Sequence, residues 1–278
     1  MKKKLITGIV VVALACFGVA ALAGCGGGQS SSQSSDKSSD SKTTLIVGFD
    51  SAYPPYGFVG DDGQYTGFDL DLAQEVANRN GWDYKAEPVD WDAKDALLGS
   101  GQINCIWNGF TIEGREDNYT FSEPYMLNEQ VVVVKKNSGI NSLSDLKGKT
   151  VMTQVDSAAL DVLEGDQKAL ADTFKGGKAQ TIGDYNNAFL QLNSGAVDAV
   201  ACDLSIAQYQ IAASPDSYVQ LSDALSTEHY GVGFKKGDTE MADAVTKTLK
   251  EMYADGTVKT LCEKYAQYGL SYDNWLLK

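Results

Sequence analysis

The chain is expected to fold as an α/β protein of two similar lobes, and three features carry that expectation. Strand-like and helix-like patterns alternate from Leu45 to the C-terminus, the order that builds parallel sheets with helical crossovers. LLGSGQINCIWNG, Leu97 to Gly109, aligns with QLNSGAVDAVACD, Gln191 to Asp203, at an offset of 94 residues. Leu45-Ile46-Val47 ahead of Asp50-Ser51-Ala52 likewise matches Thr150-Val151-Met152 ahead of Asp156-Ser157-Ala158, with an offset of 106 for the Asp-Ser-Ala triplet. Two matches in the same order indicate one βα unit used twice. Ligands of open α/β sheets bind at the carboxyl ends of the strands. Here those ends are Asp50 to Tyr53, Asn108 to Thr111, Asp156 to Ala158, and Asp203.

Ahead of the repeat, Met1-Lys2-Lys3-Lys4 and the apolar run Leu5 to Leu22 have the charged and hydrophobic regions of an export signal. The run is long enough to be weighed as a membrane anchor, but Leu22-Ala23-Gly24-Cys25 resembles the lipobox of bacterial lipoproteins. That resemblance implies a signal peptide over residues 1–24 and acylation of Cys25. Residues 25–44 are rich in Ser and Gly with almost no apolar side chain, the composition of a flexible tether.

Removing the signal takes away three lysines and moves the formal charge from −14 to −17. No lysine or arginine cluster follows, so the basic footprint of a nucleic-acid binder is missing. Cys105, Cys202 and Cys262 remain once Cys16 and Cys25 are set aside. Their odd number and wide spacing match neither a disulfide framework nor a zinc site. They read as small buried hydrophobes, with a Cys105–Cys262 bridge as the alternative.

Along the chain, LIVGF is a short apolar strand. Asp69 is placed to cap the next helix, whose Leu72, Ala73, Val76 and Ala77 recur at helical spacing until Gly81 ends it. This capping role also accounts for Asp69 and Asp71 better than a metal pair does. YKAEPV is a second strand, Asp92 to Ser100 a second helix, and INCIW a third strand buried on both faces. VVVVKK, Val131 to Lys136, is another apolar strand, and SLSDLKGK forms a short helix leading into strand TVMTQV. The stretch from Thr239 to Ala266 gives two helices around Gly256, with Met241, Val245, Leu249 and Met252 on the packed face.

Gathered by chemical type, the strand-end residues complement a zwitterion. Arg115 is a cation suited to gripping a carboxylate with two parallel hydrogen bonds, and Ser157 stands at a helix start with free N–H groups. Asp203, from the other half, suits an ammonium group. Tyr53 and Trp91 offer aromatic faces to a side chain. The bland alternatives are a surface Arg115 paired with Glu113, Glu116 or Asp117, an Asp203 that caps the helix LSIAQYQIA, and aromatic rings in the core.

The order GFDSAYPPYGF, GFDLDLAQEVA, VDWDAKDALLGSGQIN, NGFTIEGR, FSEPY, LKGKTV, SGAVDAV and YGVGFKKGDTEM resembles the polar amino-acid binding proteins of bacterial ABC importers, over nearly all of Leu45 to Tyr272. The resemblance implies the type II periplasmic-binding-protein fold: lobe 1 from residues 45–129 plus 230–278, lobe 2 from 130–229, and two crossing segments with hinges near 127–130 and 224–230. It implies a binding protein rather than an enzyme, with no cofactor and no metal. By position, Arg115 matches the carboxylate-binding arginine and Asp203 the aspartate that takes the α-ammonium. Asn108, Gly109 and Thr111 lie on the contacting strand end, Tyr53 and Trp91 flank the ligand side chain, Ser157 and Ala158 complete the carboxylate site, and Asp50 lies close by. The implied partners are a free amino acid, an ABC permease with its ATPase, and the membrane through the lipid on Cys25 at the extracytoplasmic face; the protein is expected to be a monomer.

Three departures from the family bear on the ligand. The spacing from Thr111 to Arg115 is one residue short, with Gly114 placed to absorb the deletion. Asn108 stands where small residues are frequent, and Ala158 where a hydroxyl is frequent. Two alternatives share the fold: a lyase resembling cyclohexadienyl dehydratase, for which Glu113 or Asp50 would be the base and His229 the one histidine, and a sensor that signals to a membrane receptor. A basic amino acid or cystine is the first ligand to try.

Overall fold

Each half of the chain builds the same three-stranded parallel unit. A computed structural model describes residues 42–278; the signal peptide, Cys25 and all but the end of the tether lie outside the described residues. In the first half, β1 (Thr44–Phe49) is followed by a small sheet of β2 (Ala52–Tyr53), β3 (Gly57–Val59) and β4 (Tyr65–Thr66). Then come α1 (Phe68–Asn80), β5 (Asp83–Pro88), α2 (Lys94–Ser100) and β6 (Cys105–Thr111). β1 lies between β5 and β6, parallel to both. After β7 (Tyr119–Phe121) and β8 (Met126–Lys135), the pattern returns as β9 (Val151–Gln154), α3 (Ala158–Glu164), α4 (Lys168–Ala171), β10 (Gln180–Ile182), α5 (Tyr185–Ser194) and β11 (Ala199–Asp203). Here β9 lies between β10 and β11, again parallel to both. The two sequence matches thus superpose β1 on β9 and β6 on β11. The chain ends with α6 (Leu204–Ala213), β12 (Tyr218–Gln220), β13 (Ser226–Lys235), α7 (Thr239–Ala254) and α8 (Thr257–Tyr265).

Both halves share one sheet, ordered β10-β9-β11-β8-β13-β6-β1-β5. β8 and β13 pair antiparallel from Met126 opposite Tyr230 to Gln130 opposite Ser226. Beyond that stretch β8 continues against β11 and β13 against β6. This is a two-lobed α/β architecture in which β8 and β13 are the crossing segments. Its centre is shielded from solvent: all seven residues of β6 are buried, as are Val131 to Val134 of β8 and Ala199 to Asp203 of β11. The helices cover it with the faces their spacing predicts, α1 burying Leu72, Ala73, Val76 and Ala77 and α7 burying Val245, Leu249 and Met252.

Several local expectations are corrected. Thr44 belongs to β1 and not to the tether, since it pairs with Asp83, whose N–H also bonds the Thr43 carbonyl at 2.9 Å. The helix expected over Asp92 to Ser100 starts as a 3-10 turn, Trp91–Ala93, before α2. Asp69 does not cap α1: the cap position is Gly67, and Asp69 is fully buried one position inside the helix start. A Cys105–Cys262 bridge does not form, because each of the three cysteines is a free thiol in the core.

Candidate functional site

The first half contributes Tyr53, Trp91, Gly109, Thr111 and Arg115 to one internal cavity, and the second contributes Gln154, Ser157, Ala158 and Asp203. Eight of the ten expected ligand-binding residues are thus brought together. The cavity volume is about 20 Å³, room for roughly one water molecule. A larger groove of about 550 Å³ beside Glu123 and Lys250 gathers none of these residues; those two side chains are joined by a surface ion pair of 2.7 Å.

Arg115 reaches the cavity through a tight turn. Its N–H donates to the Ile112 carbonyl at 3.0 Å, and Gly114 takes the left-handed conformation at φ 78, which glycine adopts without steric cost. The shortened loop therefore closes locally. Arg115 is not a surface arginine paired with its neighbours: Glu113 bonds His229 instead, at 2.6 Å on the exterior. The guanidinium lies over the Phe110 ring at 4.9 Å and donates from Nη2 to Asp161 Oδ2 of the second half at 2.9 Å. Asp161 is thus the anionic partner of Arg115 in this structure.

Asp203 sits at the cap position of α6 but makes no capping bond. Its Oδ1 accepts from Asn128 Nδ2 at 2.9 Å, Gln130 Nε2 at 2.7 Å and the Tyr230 hydroxyl at 2.8 Å, all on the crossing strands. The same two amides donate to Glu228 Oε1 at 2.7 Å, and so does Thr111 Oγ1 at 2.8 Å. With its proton committed to Glu228, the Thr111 hydroxyl presents only acceptor capacity, which suits an ammonium group rather than a carboxylate.

The other expected residues divide. The Tyr53 hydroxyl is 3.4 Å from that of Tyr230, and Trp91 Nε1 donates to the Asp156 carbonyl at 3.1 Å. Ser157 uses its hydroxyl to accept the Leu160 N–H at 3.2 Å. Asp50 does not line the cavity; its carboxylate accepts from its own turn at Ala52 N, 2.8 Å, and from Gln154 Nε2 of the second half, 2.7 Å. Asn108 is also outside the lining: it is buried, and its Oδ1 lies 2.6 Å from where a Cβ on Gly57 would stand. Gly109 needs to be glycine, because φ is 58 and an added Cβ would come within 2.9 Å of the Tyr230 ring and 3.2 Å of the Tyr53 ring.

Sequence reasoning missed Gln154, though it ends β9 and the strand-end rule reaches it. It also missed Asn128 and Gln130, whose signal was two amides at alternating positions ahead of the apolar run Val131 to Val134. Asp69 was misassigned: its Oδ2 accepts the Gly109 N–H at 2.6 Å and the Tyr125 hydroxyl at 2.8 Å, so it fixes the cavity floor from behind. Burial pushes its carboxyl up to about 7, against these donors.

Burial first, and the nearby Asp203 charge second, likewise push Glu228 up to about 7; Asp203 is itself raised by burial. The folded protein therefore holds a proton on Glu228 that the unfolded chain releases near the ordinary glutamate value of 4.5. Stability from this group is present at low pH, falls as pH rises from about 4.5 through 7, and is level above that. Glu228→Gln is expected to flatten part of this slope. Relative to wild type it should gain about 1 to 2 kcal/mol between about pH 5 and about pH 8, read by urea unfolding at both values. A variant whose difference from wild type does not move with pH would show that Glu228 binds no such proton.

Comparisons with known proteins bear on the fold and on what the chain is similar to. Residues 45–268 match the family model described as bacterial extracellular solute-binding proteins, family 3. The chain is 33% identical over 225 residues to the L-cystine-binding protein TcyJ of Escherichia coli (strain K12), covering 80% of this chain and 82% of that one. It is 32% identical over 276 residues to the L-cystine-binding protein TcyA of Bacillus subtilis (strain 168), covering 95% and 97%. Among solved structures, it is similar to an ABC uptake transporter substrate-binding protein from Streptococcus pneumoniae with bound histidine, with a TM-score of 0.77, 34% identity, and coverage of 80% of this chain and 92% of that one. These relatives are named as binding proteins, not enzymes.

Proposed function

Because the chain belongs to the bacterial extracellular solute-binding proteins of family 3, we propose that it captures a free polar amino acid between its halves and delivers it to the permease and ATPase of an ABC importer. The supporting observation is the convergence of Arg115 and Asp203, from opposite halves, on one buried cavity. Arg115 takes the α-carboxylate with its planar fork. Asp203 and the Thr111 oxygen take the α-ammonium, and Tyr53 and Trp91 flank the side chain. Two or three charge-assisted bonds at about 1.5 to 3 kcal/mol each, with aromatic contact, are enough for micromolar affinity, about −8 kcal/mol. An amino acid that touches both halves favours the closed arrangement over the open one.

The signal of residues 1–24 directs export and is removed, and acylation of Cys25 with the tether holds the protein at the extracytoplasmic face of the membrane, within reach of the permease; the sequence alone supports this part. The relatives named for cystine and the neighbour with bound histidine make cystine and basic amino acids the first ligands to test.

A thermal-shift screen of the purified chain against the twenty amino acids, cystine and ornithine tests the reading. Binding to the native state raises stability by about 2.7 kcal/mol at a hundredfold excess over Kd, and the expected rise in Tm for one ligand or a related few is roughly 5 to 10 °C. A flat response to every amino acid at millimolar concentration would sink the proposal.

A further inference from the structure

Lys94 opens α2 in the first half and is only 2% exposed. A buried ammonium requires a counter-charge, and among the described residues the carboxylate its Nζ bonds is that of Asp156, from the second half. The same Nζ lies 5.1 Å from the centre of the Trp91 ring and 3.4 Å from the Trp91 carbonyl. Asp156 stands in the left-handed region at φ 56, the one described non-glycine residue to do so. Its carbonyl accepts the Trp91 indole N–H, and it directly precedes Ser157 and Ala158 of the cavity wall. Neither Lys94 nor Asp156 lines the cavity.

Resting on the amino-acid-binding reading above, we infer that Lys94 and Asp156 form a latch, an ion pair across the cleft that exists only when the halves are closed. Opening the cleft returns Lys94 to water and frees the Asp156 loop. The pair therefore biases the open–closed equilibrium without touching the ligand, and a bias of that kind raises the affinity for every amino acid by the same factor. Arg115 and Asp161 also meet across the cleft, but that arginine is needed by the ligand, whereas the Lys94 pair persists in the bound state.

Lys94→Met keeps the side-chain stem and removes the ammonium; Asp156→Asn removes the carboxylate with a residue that tolerates left-handed backbone. Calorimetric titration of wild type, both single variants and the double variant uses L-cystine, L-arginine, L-histidine and L-glutamine as probes. Each single variant is expected to lose about five- to tenfold in affinity, by one common factor for all the amino acids that bind. The double variant should lose no more than the weaker single. Unchanged affinities, additive losses or losses that differ between ligands overturn the latch. Should Lys94→Met fail to fold, Asp156→Asn carries the test, since its carboxylate is 45% exposed. Fluorescence energy transfer between labels at Ser100→Cys and Gln191→Cys, both exposed, reads closure directly and without ligand. A closed fraction lower in the variants than in wild type supports the latch, and an equal one overturns it, even if no amino acid binds and the proposed function itself fails.

Discussion

Arg115→Ala is expected to weaken amino-acid binding about 100-fold or more, the loss of two charge-assisted hydrogen bonds to a carboxylate inside a closed cavity. The ligand-free protein should unfold almost as before. Among the described residues Arg115 has one ion pair, with Asp161, whose side chain is 58% exposed; such half-solvated pairs contribute about 0 to 1 kcal/mol. Binding and stability are therefore expected to separate, which a general disturbance of the fold would not produce. Arg115→Lys sharpens the result: a point charge on a flexible stem replaces a planar fork, and about a tenfold loss is expected. Calorimetric titration of the three proteins, with thermal melts beside it, checks both statements. An alanine variant that binds as tightly as wild type would take Arg115 out of the site.

How far the site could be read in advance depended on the kind of contact. The strand-end rule reached Gly109, Thr111, Ser157 and Asp203 because the βα repeat places them through local order alone, with β1 and β6 answered by β9 and β11, and Arg115 follows four residues past the end of β6. Asn108 could have been excluded by the same local logic. Alternation along β6 puts Gly109 and Thr111 on the cavity face and turns Asn108 to the other. Gly114 carried the information that the shortened loop closes, since a tight turn ending at Arg115 needs a residue that accepts positive φ.

Contacts between distant segments were not legible. An aspartate near a helix start reads as a cap, and nothing in GFDLDL reveals that Asp69 lies under Gly109, forty residues on, and holds its N–H. The partners of Arg115 and Lys94, Asp161 and Asp156, come from the opposite half, so only the tertiary arrangement identifies them. The free thiols follow the same division: burial of Cys105 and Cys262 was readable from their apolar surroundings, but whether the two met was not.

Asp203 presents the harder case, because the carboxylate proposed to take the ammonium group also anchors the crossing strands. Three donors converge on its Oδ1 from Asn128, Gln130 and Tyr230. Asp203→Ala removes their shared acceptor and leaves buried donors unsatisfied, at about 1 to 3 kcal/mol, so its loss of binding would be mixed with a loss of stability. Asp203→Asn keeps an oxygen in place for those donors and removes only the charge. It is expected to weaken amino-acid binding about 100-fold while the melting temperature of the ligand-free protein stays within a few degrees of wild type. The remaining acid responds in a defined direction. The Asp203 charge is one of the causes that raise Glu228, so in Asp203→Asn the Glu228 carboxyl titrates at lower pH and the fall of stability with rising pH ends earlier and is smaller. A variant that keeps its affinity would show that Asp203 serves the crossing strands alone. One that loses affinity with no change in the pH profile would keep Asp203 as the ammonium site but separate it from Glu228.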